Sequence, residues 1–253
     1  MTLSCNFFGK LPTRIKRHIT MEQTSPTPGR AALIAGIAVL VMALTVPIVE
    51  FYIFPRLIDY QDAAQTTQNI VANLSLFSLA IFIHFTTIIC DVVAGWALYI
   101  FLKPVNKNFA LFTAWFRILN AAFTIAALAH LIQIISLLKT SEQFTAISPA
   151  EVNDLVLYHV RSFNMQWRFM LVFFGIYMNL LGYLVLQAKY VPKIMGILLI
   201  ITGAGYIIDD LKYFFYPNLD TGFLWFTYFG ELIFMLWLLI KGWRIRETGF
   251  YSE

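Results

Sequence analysis

Asp91, Arg117 and Glu231 each lie deep inside a long apolar run. A full charge in the middle of a bilayer costs several kcal/mol unless it is paired or wetted. Three such groups in three different runs therefore imply a polar centre inside a membrane-embedded bundle. The chemistry open to such a centre is pairing of charges, binding of a small polar solute, or holding of a proton. A second set, Glu50, His84, His130, Arg168, Asp209 and Asp210, sits nearer the ends of the runs. Carboxylates beside histidines can do acid–base work or ligate a metal. No ligand spacing supports a metal here, so neither metal nor cofactor is expected.

Depth sorts these residues into two layers. A helix rises ~1.5 Å per residue, and counting from the basic end of each run puts Asp91, Arg117, Asn120, Asn179 and Glu231 at roughly 12–17 Å, near the midplane of a ~30 Å core. The second set, with Gln133, falls at the opposite rim. Helical phase puts His84, Thr87, Asp91 and Gly95 on one stripe, and Thr113, Arg117, Asn120 and Thr124 on another. Gly36, Ala43, Pro47 and Glu50 form a third, mostly small stripe. Gly175, Asn179 and Gly182 form a fourth, where small residues permit close helix contact. His130 and Gln133 lie off the Arg117 stripe and face something else. The simplest assembly pairs Asp91 with Arg117. Glu231 then shares Arg117, faces water, or is protonated and bonded to Asn179 or Tyr206. The bland alternative is that the buried pair only fixes how two helices pack.

The elements that carry these residues follow from composition. The chain has 253 residues, of which 59% are hydrophobic and 13% charged, with a mean hydropathy of +0.72. Soluble domains carry about 25% charged residues. The apolar runs are ~20 residues long and do not alternate, so they read as helices rather than barrel strands. The fold class is an all-α integral membrane protein. Six transmembrane helices are placed at about 31–54, 74–102, 109–138, 166–188, 193–215 and 223–243, with Pro47 disturbing the first. Ser148-Pro149-Ala150-Glu151 is a capping box, and the pattern after it reads as a short amphipathic helix between spans three and four. The expected organisation is a basic, disordered tail over 1–29, a six-helix domain over 30–245 and a short tail over 246–253. Met21 is an alternative start.

Basic residues are scattered over loop ends, which excludes a nucleic-acid face. Their bias sets orientation instead. The tight turns Lys103–Lys107 and Lys189–Lys193, with Lys241, Arg244 and the tail, share one side. That side is expected to be cytoplasmic, with both termini there and the chain in the cell (inner) membrane. Cys5 and Cys90 are too differently placed to bridge.

The run Cys90-Asp91, the turn Leu102-Lys103-Pro104-Val105-Asn106-Lys107-Asn108 and Phe116-Arg117 with Asn120-Ala121-Ala122 carry a family resemblance. So do Pro192-Lys193-Ile194-Met195-Gly196, Gly203-Ala204-Gly205-Tyr206-Ile207-Ile208-Asp209 and Gly230-Glu231. Over about residues 31–243 the chain resembles the bacterial membrane family named domain of unknown function 4386. The resemblance implies a multi-pass membrane protein and carries over no catalytic residue. Three function classes fit: a carrier with its site at the midplane, a membrane enzyme acting on a lipid-like substrate from the outer side, and a scaffold whose charges only specify packing. The partners expected are the lipid bilayer and a small polar solute or proton. Nothing in the sequence reads on oligomeric state.

Overall fold

A computed structural model describes residues 26–140 and 148–245. Most of the expected N-terminal tail, including Cys5 and Met21, and the expected tail 246–253 lie outside the described residues. The described chain forms α1 (Pro28–Leu57), α2 (Ala63–Ala72), α3 (Leu74–Leu102), α4 (Lys107–Thr140), α5 (Pro149–Gln187), α6 (Lys193–Phe215) and α7 (Gly222–Arg244). All except α2 are long and apolar enough to cross a membrane. The fold is the all-α, six-span architecture the hydropathy pattern implies.

Local chemistry explains where the helices start and how they are interrupted. Thr27 accepts the Arg30 N–H and Pro28 opens the first turn of α1. Pro47 has no N–H to give, and α1 then takes a π-helical turn over Val49–Ile53. The wider turn places Glu50 at the disturbance. Asn106 caps α4 by accepting the Phe109 N–H at 3.0 Å. The α6–α7 connection ends in a 3-10 turn, Gly222–Tyr228, which delivers Glu231 into the first turn of the α-helix Phe229–Ile240.

Two features differ from the sequence reading. The segment after Ser148 is helical and its capping box is formed. It is not a separate surface helix, however, but the opening of α5, which runs unbroken for 39 residues. No proline interrupts the chain between Ala150 and Gln187, so nothing ends the helix. Val152, Val156, Val160 and Phe163 are buried there. Secondly, α2 was not anticipated. Asp62 caps it by accepting the Gln65 N–H at 2.8 Å, and it packs on α5. Buried Thr66 ties the preceding loop down, donating to the Asp59 carbonyl at 2.8 Å and accepting the Asp59 N–H at 2.9 Å. Tyr60 in the same loop accepts from Asn164 at 3.3 Å, and burial pushes its phenol above the usual range.

The spans close a ring in chain order: α1 packs on α3, α3 on α4, α4 on α5, α5 on α6, α6 on α7, and α7 back on α1. The α5–α6 seam is backbone against backbone. A Cβ on Gly182 would stand 2.8 Å from the Gly196 carbonyl oxygen, and one on Gly196 would stand 2.8 Å from that of Gly182. Gly175 and Gly203 oppose one another in the same way one step along. Close approach of this kind drives helix association where lipid removes the usual apolar driving force. Two large apolar clusters lie in the ring beside a small one around Ala38, Val39, Ala94 and Met235. One gathers Phe101, Leu181, Leu184, Leu199 and Leu238 towards the basic turns. The other gathers Ile53, Phe77, Leu131, Ile134 and Phe163 towards the opposite end. Large apolar side chains such as Phe82, Trp115, Ile125 and Leu236 cover the outside, as a lipid-facing surface requires.

Candidate functional site

Between the two apolar clusters lies a polar layer built around Arg117. The α3 stripe His84, Thr87, Asp91 and Gly95 is buried, as is the α4 stripe Thr113, Arg117, Asn120 and Thr124. Because both stripes face inward at one level, their polar members meet. Arg117 Nη2 stands 2.8 Å from Asp91 Oδ1. Asn120 donates to the other oxygen, Asp91 Oδ2, at 2.9 Å. On the far side, Arg117 Nη1 donates to the Tyr177 hydroxyl at 3.1 Å and lies 3.9 Å from Glu231 Oε1. Four spans therefore converge on one guanidinium, which is only 1% exposed.

The two carboxylates hold Arg117 unequally. Asp91 is close, 5% exposed at its side chain and hydrogen-bonded by Asn120. Glu231 is beyond hydrogen-bonding distance and 17% exposed. Arg117 Nε and Asn120 Oδ1 have no hydrogen-bond partner inside the protein. Unpaired buried donors are expensive. Beneath Arg117 and Glu231, on the side of the basic turns, a cavity has walls from all six spans: Val39, Leu98, Met178, Leu199 and Met235 join the two charged groups. Its unfilled space is ≈ 230 Å³, open solvent included, with inner room for about one water.

Asn179 does not join this layer. Its amide donates to the Gly175 carbonyl at 2.8 Å in its own helix and packs on Gly203, inside the α5–α6 seam. Tyr177, two residues earlier and on the opposite face of α5, supplies the contact instead. A tyrosine in an apolar span reads as packing, and only its half-turn offset from the glycine stripe would have pointed to the centre.

The residues of the outer rim do not form one site. Glu50 Oε1 and His84 Nε2 face one another at 3.8 Å, with the fully buried His84 ring enclosed by Phe54, Phe163 and Trp167. His130 instead reaches α5, its Nδ1 3.0 Å from His159 Nδ1 and its Nε2 2.8 Å from Gln166 Nε2. Gln133 is exposed. Arg168 pairs with Asp210 at 3.4 Å and lies over the Tyr213 ring. Asp209 pairs with Lys212 at 3.1 Å and accepts hydrogen bonds from Thr221 and, at 2.6 Å, from Tyr228. The sequence pattern missed His159, Gln166, Thr221 and Tyr228. Among the described residues no group of three or more His, Cys, Asp or Glu is placed to hold a metal ion.

A model of the family described as domain of unknown function 4386 matches residues 34–242, which takes in every residue of the Arg117 layer. The chain belongs to this family. A relative from Archaeoglobus fulgidus, named only as an uncharacterized protein, is 34% identical over 164 residues, covering 65% of this chain and 84% of the relative. No solved structure matches. Family membership agrees with the multi-pass architecture and brings no activity with it.

Proposed function

We propose that the protein is a small carrier that binds a polar solute or a proton at the Arg117 centre. The observation that carries this reading is the unequal grip of Asp91 and Glu231 on one buried guanidinium. A site meant only to fix packing is best served by closed, fully bonded pairs. Here one carboxylate is held and the other stands off, beside an unbonded Arg117 Nε and a cavity that every span touches. Midplane sites of this kind suit alternating access, since a ring of helices can open towards either face around them. Narrowness of the cavity fits a closed resting state. The basic turns support a cytoplasmic position for that end and for both termini, in the cell's inner membrane.

Reconstitution in proteoliposomes tests the proposal, with an internal pH-sensitive dye and a panel of small solutes. Movement of proton or solute by the wild type and its loss in Glu231→Gln is the expected result. Equal movement by both proteins would overturn the reading.

A further inference from the structure

We infer that the Arg117 centre takes a small amphipathic monoanion, a carboxylate on a short hydrocarbon chain, together with one proton carried by Glu231. The inference rests on the carrier reading and names its substrate class.

The head-group chemistry follows from the donors. Arg117 lines the cavity at 1% exposure, and its Nε has no hydrogen-bond partner inside the protein. A guanidinium matches a carboxylate in shape and in charge. Glu231 occupies the neighbouring position only loosely, at 3.9 Å, so an incoming carboxylate competes with a weak internal one. The tail chemistry follows from the walls. Apart from Arg117 and Glu231 the cavity is lined by Val, Leu, Met and Phe side chains. Beyond those two, no polar group there would bond the several hydroxyls of a sugar. Met178 and Met235 are unbranched and can yield to a short chain.

Charge balance brings in the proton. With both carboxylates ionised, Arg117 is already outweighed by Asp91 and Glu231. A further anion would leave three negative groups around one positive one, which a buried site cannot sustain. A proton on Glu231 restores the resting charge when the anion enters. The other groups facing Glu231 are Arg117 on α4, Asp91 on α3, Tyr177 on α5 and Tyr206 on α6, while α1 contributes Val39 to the shared cavity. Of the carboxylates, Asp91 is the one locked to Arg117 and Asn120, which leaves Glu231 to carry the proton.

Calorimetry of the purified full-length chain with hexanoate, in buffers of differing ionisation enthalpy, tests this. Hexanol and hexylamine are the comparison probes. The expected result is hexanoate binding with uptake of about one proton, weakening about tenfold per pH unit once Glu231 is ionised, and no binding of hexylamine. Glu231→Gln should bind hexanoate without proton uptake and without that pH dependence. The double variant Asp91→Asn with Arg117→Gln, checked for folding by its melting temperature, should not bind. Absence of hexanoate binding, equal binding of hexylamine or hexanol, or undiminished proton uptake in Glu231→Gln would each overturn the inference. Proteoliposome flux separates the two claims. Flux of another solute that depends on Glu231 leaves the carrier reading standing without this substrate class. Hexanoate binding with no movement overturns the carrier reading alone.

Discussion

Gly95 on α3 faces Arg117 on α4 so closely that a Cβ there would stand 3.4 Å from both Cβ and Cγ of the arginine. Arg117 reaches Asp91, one turn from Gly95 on α3, by laying its aliphatic stem across the space a side chain would fill. Gly95→Ala should therefore be tolerated, since 3.4 Å is close to ordinary contact. Gly95→Leu must push Arg117 aside. We expect it to lower stability by about 1–3 kcal/mol, the usual range for overpacking, and to abolish Glu231-dependent activity in proteoliposomes. Normal activity in Gly95→Leu would mean that the stem of Arg117 is not held where the structure has it.

Removing one partner of the buried ion pair should cost far more than removing both. Asp91→Asn leaves Arg117 short of a counter-charge, and Arg117→Gln leaves Asp91 buried at 4% exposure with only Asn120. Each single change should destabilise by about 3–5 kcal/mol, and the double variant by clearly less than their sum. Thermal melting in detergent, with the four proteins compared in one cycle, gives the coupling. Additive losses would show that the two charges do not interact.

Span positions and the meeting of Asp91, Arg117, Asn120 and Glu231 were legible because depth along a helix can be counted and because polar stripes must face inward in lipid. Rotation about the helix axis was less legible where both faces of a span are small or apolar. Asn179 and Tyr177 lie at nearly the same depth on opposite faces of α5, and the polar residue was the natural choice for the centre. Its glycine neighbours were the better guide, since the α5–α6 seam needs a residue that can hydrogen-bond within its own helix. The helix α2 was hidden for another reason. Ala63–Ala72 is too polar to read as a span, and its N-cap Asp62 is a local signal that hydropathy does not weigh.

The glycine seam gives a further stability test. A Cβ on Gly182 would press on the Gly196 carbonyl, and one on Gly196 on the Gly182 carbonyl. Backbone cannot move aside as a side chain can. Gly182→Ala and Gly196→Ala should each destabilise by about 1–3 kcal/mol through separation of α5 from α6. Ala204→Gly, at an exposed position on α6 beside Gly203, should cost no more than about 1 kcal/mol, the loss of helix propensity. Equal effects from the seam and exposed changes would argue against close contact between the two helices.

Tyr190, in the turn between α5 and α6, carries a prediction at alkaline pH. Its hydroxyl donates to the Phe101 carbonyl at 2.7 Å, and burial raises its phenol above the ordinary value of 10.0. The sign follows from linkage. A phenol whose folded value exceeds its unfolded one favours the folded state at every pH below 10, where both forms are neutral. Above pH 10 the unfolded chain loses its proton first, and that contribution falls away as pH climbs towards the folded value. The hydrogen bond itself contributes about 1 kcal/mol. Tyr190→Phe should therefore be less stable than the wild type by roughly that amount between pH 6 and 9, as read by melting temperature in detergent. Above pH 10 the gap should narrow, because only the wild type has this phenol to ionise. A gap that stays constant from pH 7 to pH 11 would show that Tyr190 titrates no differently in the folded and unfolded chains.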